Sequence, residues 1–287
     1  MSARLPEVMR VVDVLMPAAD SDYAAEAADM VEDYRPAFAA RGMALAPRPW
    51  TEGPGGGVAA LALLAWGYHV DPRRWAAVLE DWPDGVPLFN PPALMRWNTR
   101  KTYLAELEAA GVPIVPSWFG DADADSVAAA FDRFGVETLV VKPQISGGSY
   151  RTDRVRRGDP VEPLADAIIQ PFLPAVGDEG ELSLLYIGGA FSHAIRKVAQ
   201  GGDFRIQPQF GGVTTAILAD PDAHAVAAQA LAALTVAPLY ARVDLIRLPD
   251  GSLALMELEA IEPDLYIDFG DDVPGKLADA VVARLTQ

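Results

Sequence analysis

The chain has 287 residues, a length that predicts two lobes or one large α/β body rather than a single small domain. Its 40 acidic and 23 basic residues give a formal net charge of −17, which argues against a protein that binds the phosphate backbone of nucleic acids. The absence of cysteine excludes disulfides, zinc–thiolate sites and thiol catalysis. No stretch reaches the roughly 20 uncharged apolar residues of a membrane-spanning helix, so we expect a cytoplasmic protein with no membrane partner.

Strands are predicted to alternate with helices over the first 95 residues. Apolar and β-branched runs predict the strands, and the Ala-rich or amphipathic segments between them predict the helices. The predicted strands cover residues 9–16, 43–50, 58–66 and 86–89, and the predicted helices cover residues 21–41 and 71–81. This alternation predicts a parallel sheet covered on both faces, and hence a doubly wound N-terminal domain over residues 1–95.

The remainder of the chain mixes helices with a larger number of strands. A helix is predicted over residues 98–110 and a buried strand over residues 138–141. Further along, strands dominate and are interrupted by one predicted helix over residues 222–234. Turn sequences at Gly188-Gly189 and at Pro249-Asp250-Gly251 predict antiparallel hairpins, so this part of the chain is expected to be α+β.

The strand at residues 138–141 leads into a lysine and a loop with two glycines. Gly147 and Gly148 allow backbone N–H groups to approach an anion closely, Ser149 adds a hydroxyl donor, and Lys142 adds a positive charge. This pattern is typical of a phosphate site, and a solvated lysine before a turn is the alternative. It differs from the P-loop, in which Gly-Lys-Ser/Thr opens a helix.

Three acidic residues near the C-terminus are predicted to meet across a hairpin. Glu257 and Glu259 lie two positions apart on one strand, so their side chains share a face, and the intervening turn brings Asp244 opposite them. Carboxylate oxygens suit Mg²⁺ or Mn²⁺ bound together with nucleotide phosphates. The alternative is a strand whose solvent-facing side carries the glutamates.

Cations are concentrated in one segment of this acidic chain. The stretch HAIRKVAQGGDFR places Arg196, Lys197 and Arg205 close together in the sequence. Such a group beside a carboxylate cluster predicts a bound polyanion, and ordinary ion pairing between strands is the alternative.

Several of these features occur together, in the same order, in the ATP-grasp enzymes. They are a lysine before an α/β lobe, VVKP followed by GGS, a hydrophobic-Gln-Pro-Phe hinge, an arginine in QGGDFR and a terminal acidic pair. The chain therefore resembles the ATP-grasp superfamily over about residues 85–270. Within it, QGGDFRIQPQFGG and MELEAIEP resemble bacterial glutathione synthetase, and LFNPPALMRWNTRKTYLAELEAAGVPIVP is similar to the cycloserine-forming cyclo-ligases.

The resemblance implies a fold, a set of domains and a set of ligands. We expect an ATP-grasp fold, with a Rossmann-like N-terminal domain at residues 1–95, a small lid subdomain at 96–168 and a large C-terminal subdomain with the metal site at 169–287. ATP and Mg²⁺ or Mn²⁺ are the implied cofactors. A homodimer is a further expectation from the family.

The resemblance also implies roles for individual residues. Phosphate contacts come from Lys101 and Lys142, with a flexible lid at Gly147, Gly148 and Ser149. Adenine is recognised at Gln170, Pro171 and Phe172, and the ribose is held by Asp178 or Glu181. The transferred phosphoryl group is stabilised by Arg205, with Lys197 and Lys142, and the metal is bound by Asp244, Glu257 and Glu259.

The implied reaction converts a carboxylate to an acyl phosphate and joins it to an amine, either between two small molecules or within one. A phosphotransferase and a nucleotide-binding regulatory protein with a decayed site are the alternatives. Two departures from the family pattern are visible. Glu259 stands where many relatives have Asn, and LALLAWGYH stands where related chains have a polar loop and a Trp-Asp-Tyr turn, so the substrates stay unidentified.

Overall fold

A computed structural model describes residues 9–199, 206 and 211–286. The N-terminal part contains, in chain order, β1 (Arg10–Met16), α1 (Ala24–Ala39), β2 (Met43–Pro49), β3 (Ala59–Leu61), α2 (Pro72–Glu80) and β4 (Leu88–Phe89). Its four strands form a sheet in the order β2-β1-β3-β4, and every pairing in it is parallel. The predicted parallel sheet is therefore confirmed.

Both faces of this parallel sheet are covered, as continuous burial along β1 requires. Val12 and Val14 point into a core shared with α1, whereas Leu15 points into a second core that contains Trp75 of α2. The C-terminal helix α8 (Val273–Leu285) packs against α1 on the first face. The last helix of the chain therefore returns to the N-terminal sheet.

The middle of the chain forms a small antiparallel sheet behind two short helices. Its elements are α3 (Pro92–Thr99), α4 (Tyr103–Ala109), β5 (Trp118–Ala122), α5 (Ala124–Phe134), β6 (Thr138–Pro143), β7 (Asp153–Arg156) and β8 (Leu164–Pro171). The strand order is β5-β8-β6-β7. Helix α5 begins with a capping box between Asp123 and Ser126 and covers one face of this sheet.

A five-stranded antiparallel sheet completes the fold. Its elements are α6 (Ala175–Asp178), β9 (Glu181–Ile187), β10 (Ala190–Val198), β11 (Val213–Ile217), α7 (Pro221–Ala232), β12 (Tyr240–Arg247) and β13 (Leu253–Glu259). The strand order is β11-β10-β9-β12-β13, so β9 and β12 are central. None of the described helices is both long and apolar enough to cross a membrane.

The predicted helix over residues 98–110 is wrong in one respect, because the chain forms two helices there. Residues 100–102 lie outside both, between α3 and α4. The break has a long-range cause. The side chain of Asn98 donates to the carbonyl of Leu258 and accepts from the N–H of Ala260, and the N–H of Lys101 donates to the carbonyl of Gln144. These bonds fix Lys101 in a turn rather than on a solvated helix face.

Candidate active site

Lys142 reaches the site from the end of a buried strand. In β6 it is paired with Ile168 of β8, and its side chain is buried. Burial lowers the pKa of Lys142, opposed by the nearby carboxylate of Glu257 and reinforced by the ammonium of Lys101. Lys142 and Lys101, both predicted to contact phosphates, therefore lie close to each other and to Glu257.

Lys101 connects three parts of the chain. Its Nζ atom lies 2.9 Å from Oε1 of Glu257 on β13 and donates to the carbonyl of Ser146 at 2.6 Å. Lys101 is buried and Glu257 is only partly exposed, so this ion pair is shielded from solvent. The lysine predicted to contact phosphates is thus held between β13 and the glycine-containing loop.

The loop after β6 forms a compact turn. Gly148 and Ser149 have φ values of 56° and 62°, and the N–H of Tyr150 donates to the carbonyl of Gly147 at 3.0 Å. At the start of the loop, the side chain of Gln144 donates to the carbonyl of Ala167 on β8. The loop is therefore attached to the small sheet at its base, while its glycines form the turn.

The predicted adenine segment lies where β8 ends. Gln170 is buried and its side-chain amide donates to Oγ of Ser117, and Phe172, beyond Pro171, lies under the guanidinium of Arg154 at 4.3 Å from its ring centroid. The two residues predicted as alternatives for holding the ribose differ in their exposure to solvent. Asp178 is exposed, whereas Glu181 is buried and lies 2.6 Å from Nζ of Lys197.

A buried network of charges occupies the centre of the large sheet. Asp244 lies opposite Glu257 in the strand register, as predicted. Its carboxylate binds Arg242 at 3.0 Å and Lys197 at 3.4 Å, and it accepts a hydrogen bond from Ser183. The cross-strand ion pairing considered as an alternative for Lys197 is therefore present.

The pKa values in this network follow from burial opposed by charge pairing. Burial disfavours the charge on Asp244, but Arg242 and Lys197 outweigh it and lower the pKa of Asp244 to about 2. Burial also opposes the charge on Lys197, and the carboxylates of Asp244 and Glu181 nevertheless raise its pKa. Glu259 differs, because burial raises its pKa well above the ordinary value, although Glu259 binds Arg242.

The three carboxylates predicted to bind metal offer oxygen ligands, which are the ligands that hard cations prefer. Glu257 and Glu259 each have side chains 25% exposed, against 3% for Asp244, so these two are the accessible donors. In the part of the chain that the structure describes, no three acidic or histidine side chains surround a common point. Arg242, Lys101 and Lys197 occupy positions beside the carboxylates instead.

One predicted residue cannot be located, and one was missed. Arg205 lies outside the described residues. Arg242 was not predicted, although it binds both Asp244 and Glu259. The signal was present in the sequence, because Arg242 and Asp244 are two positions apart on one strand and must share a face.

Two further polar residues lie near Lys101. Burial, aided by the charge of Lys101, lowers the pKa of His69 to about 4. Burial raises the pKa of Glu262 to about 7, with Lys101 acting against this rise and Glu257 adding to it. Neither residue was assigned a role from the sequence, because no local pattern relates His69 to the C-terminal acids.

Comparison with known proteins identifies the class to which this fold and site belong. A family of RimK-like ATP-grasp domains matches residues 159–281. Cycloserine biosynthesis protein DcsG of Streptomyces lavendulae is 35% identical over 221 residues, which are 69% of this chain and 73% of that protein. The chain belongs to the ATP-grasp ligases, a family of ATP-dependent enzymes that form C–N bonds.

Particular solved structures extend this likeness to the whole chain. The crystal structure of D-cycloserine synthetase DcsG has a TM-score of 0.81 at 28% identity, and the match covers 96% of this chain and 99% of that chain. D-alanine–D-alanine ligase from Bacillus anthracis has a TM-score of 0.69 at 16% identity, covering 96% of this chain and 97% of that chain. The second likeness shows the shared fold.

Proposed function

We propose that this chain is a carboxylate–amine ligase that consumes ATP and forms an acyl phosphate before the amide bond. The observation that carries the proposal is the shielded ion pair of Lys101 with Glu257 on the large sheet, with Lys142 of the small sheet near enough for its pKa to be affected by both. Cations gathered beside carboxylates suit a nucleotide whose phosphates require neutralisation. The ADP and inorganic phosphate formed are the expected products.

In the proposed reaction, a carboxylate oxygen of the substrate attacks the γ-phosphorus of ATP and ADP leaves. The amine then attacks the carbonyl carbon of the acyl phosphate, phosphate leaves, and the amine nitrogen loses a proton. Lys142 and Lys101 would disperse negative charge on the phosphates during the first step. Arg205 and Lys197 are proposed to assist the same transfer.

We infer that Glu257 and Glu259 are the principal metal ligands, with Asp244 behind them as the third. A divalent cation held there would neutralise charge on the phosphates. Glu181 is preferred over Asp178 for the ribose because it is buried beside Lys197. Gln170, Pro171 and Phe172 are proposed to line the adenine.

We propose that the chain divides into an N-terminal domain at residues 1–95, a lid subdomain at 96–168 and a large C-terminal subdomain at 169–287. In this division the middle segment carries the phosphate loop, and the last carries the carboxylates. Closure of Gly147, Gly148 and Ser149 over the phosphates would exclude water from the acyl phosphate.

The proposed substrate is a small amino-acid-like molecule, and the proposed product is a ring. The support is the relation to DcsG, which is named for cycloserine biosynthesis and for D-cycloserine synthesis. Ring closure joins a carboxylate and an amine of one molecule, so the same acyl-phosphate chemistry applies.

A screen of ADP release tests this function. Wild-type protein with Mg²⁺-ATP is offered amino acids and small carboxylates, singly and in pairs, and Lys142→Met and Glu257→Gln are compared with it. We expect each variant to lose at least about 100-fold in substrate-dependent ADP release, because each removes a charge beside the transferred group. Lys276→Met and Glu108→Gln are matched controls away from the site, and they should retain the wild-type rate.

Three outcomes would contradict the proposal. Wild-type turnover in both Lys142→Met and Glu257→Gln would show that these two residues do not belong to the active site. A phosphorylated product without amide would indicate a phosphotransferase, and ATP binding with no ADP release across the panel would indicate a regulatory protein.

A further inference from the structure

His69 is a buried histidine whose two ring nitrogens find no hydrogen-bond partner within the described part of the chain. Its residue is 7% exposed, and both Nδ1 and Nε2 are inaccessible to solvent and unpaired among the described residues. Burying a polar group without a partner destabilises the fold, so native structures rarely retain one without a reason. A ligand that supplies the missing hydrogen bonds is such a reason.

The imidazole lies against the glycine-containing loop. A Cβ atom built on Gly147 would lie 3.1 Å from Nδ1 of His69 and 3.8 Å from Oε1 of Glu262, so both groups face the same side of this glycine. The ring of Tyr150, from the same loop, lies 5.2 Å from the imidazole centroid. His69 and Glu262 therefore flank the loop that is proposed to close over the phosphates.

The segment that carries His69 is fixed to the segment that carries Glu262. The indole N–H of Trp66 donates to the carbonyl of Glu262 at 3.3 Å. The ring centroids of Tyr23 and Tyr68 lie 6.4 and 6.0 Å from that of the imidazole, so aromatic rings also pack around it. The N-terminal lobe thus contributes an imidazole directly beside the candidate active site.

The chemistry of the pair selects a nitrogen-bearing ligand. The low pKa of His69 keeps its imidazole neutral at pH 7, so one ring nitrogen accepts a hydrogen bond. Among the residues that the structure describes, the carboxyl group of Glu262 makes no ion pair and no hydrogen bond to another side chain, and it accepts a hydrogen bond from its own backbone N–H. The acceptor nitrogen of the imidazole and the carboxyl oxygens of Glu262 match the N–H groups of an amine, whereas a carboxylate or phosphate would find only the single N–H of the imidazole.

We propose that His69 and Glu262 bind the amine of the acceptor and position it beside the glycine-containing loop for attack on the activated carboxylate. This inference rests on the proposed ligase function and adds the recognition of one substrate group to it. It assigns a task to the N-terminal loop at residues 66–69, for which the sequence predicted no role.

The test separates amine binding from carboxylate activation. Hydroxylamine, a small nucleophile, traps the acyl phosphate as a hydroxamate at high concentration without needing a shaped amine site. The most active carboxylate and amine from the ADP-release screen are assayed in parallel, and the KM of the amine and kcat are measured separately. If the screen selects one molecule that carries both groups, the ratio of ring product to hydroxamate replaces the KM.

Four variants are compared with wild type. His69→Phe keeps the ring volume without hydrogen bonding, His69→Gln keeps one donor and one acceptor, Glu262→Gln removes the charge, and His224→Gln on α7 is the matched control. We expect a rise of at least tenfold in the KM of the amine, or an equal fall in the ratio of ring to hydroxamate, for His69→Phe and Glu262→Gln. His69→Gln should recover part of the loss, and His224→Gln should match wild type.

The two hypotheses fail in different ways. Hydroxamate formation within about twofold of wild type in all variants, with the amide reaction impaired, supports the amine site. An unchanged amine reaction in His69→Phe and Glu262→Gln, or equal losses with hydroxylamine and the amine, would overturn it. Absence of hydroxamate from wild-type protein would instead reject the ligase function itself.

Discussion

At the scale of single residues, Lys197 is a buried cation that two buried carboxylates share. It lies 2.6 Å from Glu181 and 3.4 Å from Asp244, and all three side chains are at most 10% exposed. Charges of this kind are tolerated in an interior only when they are paired, because desolvation of each ion costs several kcal/mol. Lys197 therefore has a structural task in addition to its proposed one in phosphoryl transfer.

Lys197→Met should destabilise the fold by about 3–5 kcal/mol, because it leaves Glu181 and Asp244 with one buried cation fewer. Adding Glu181→Gln to Lys197→Met should restore part of this loss. The free energy of unfolding of the single and the double variant is measured in urea at pH 7, with Lys276→Met as the control. A midpoint for Lys197→Met equal to that of wild type would show that the pairing contributes nothing to stability.

At the scale of elements, the start of β9 is constrained by a close backbone approach. Gly180 has a φ value of 85°, and a Cβ atom there would lie 2.5 Å from the backbone oxygen of Lys197. A side chain at this position meets both an unfavourable conformation and a steric clash with backbone. This glycine allows β9 to bring Glu181 beside Lys197.

Gly180→Ala should lower the free energy of unfolding by at least about 2 kcal/mol for those two reasons. Gly177→Ala is the matched control, since Gly177 lies in α6 and a Cβ there meets no atom within 4 Å. It should be neutral or stabilising by up to about 1 kcal/mol. Similar urea midpoints for the two variants would show that the close backbone approach at Gly180 does not constrain the start of β9.

Local sequence patterns predicted some of these elements well and others not at all. The spacing of Glu257 and Glu259 and the turn before them predicted the pairing of β12 with β13, and Asp244 lies opposite Glu257 as expected. The break between α3 and α4 was not predictable in this way. It depends on bonds from Asn98 to residues about 160 positions away, which no local pattern contains.

At the scale of the whole molecule, the candidate site is assembled from all parts of the chain. The N-terminal lobe provides His69, the small sheet provides Lys142, and the large sheet provides Asp244 and Glu257. The order of motifs along the chain was enough to identify the superfamily. The partners of each charge were not predictable, because ion pairs between distant strands depend on the packing of the sheets.

The central claim is that a substrate carboxylate is activated by phosphorylation. It is tested most directly with a substrate carboxylate labelled with ¹⁸O, using the most active substrate found in the ADP-release screen. Attack of that carboxylate on ATP predicts that one ¹⁸O atom appears in the inorganic phosphate released with ADP, as measured by mass spectrometry. Inorganic phosphate without ¹⁸O, or label in AMP, would contradict the acyl-phosphate mechanism.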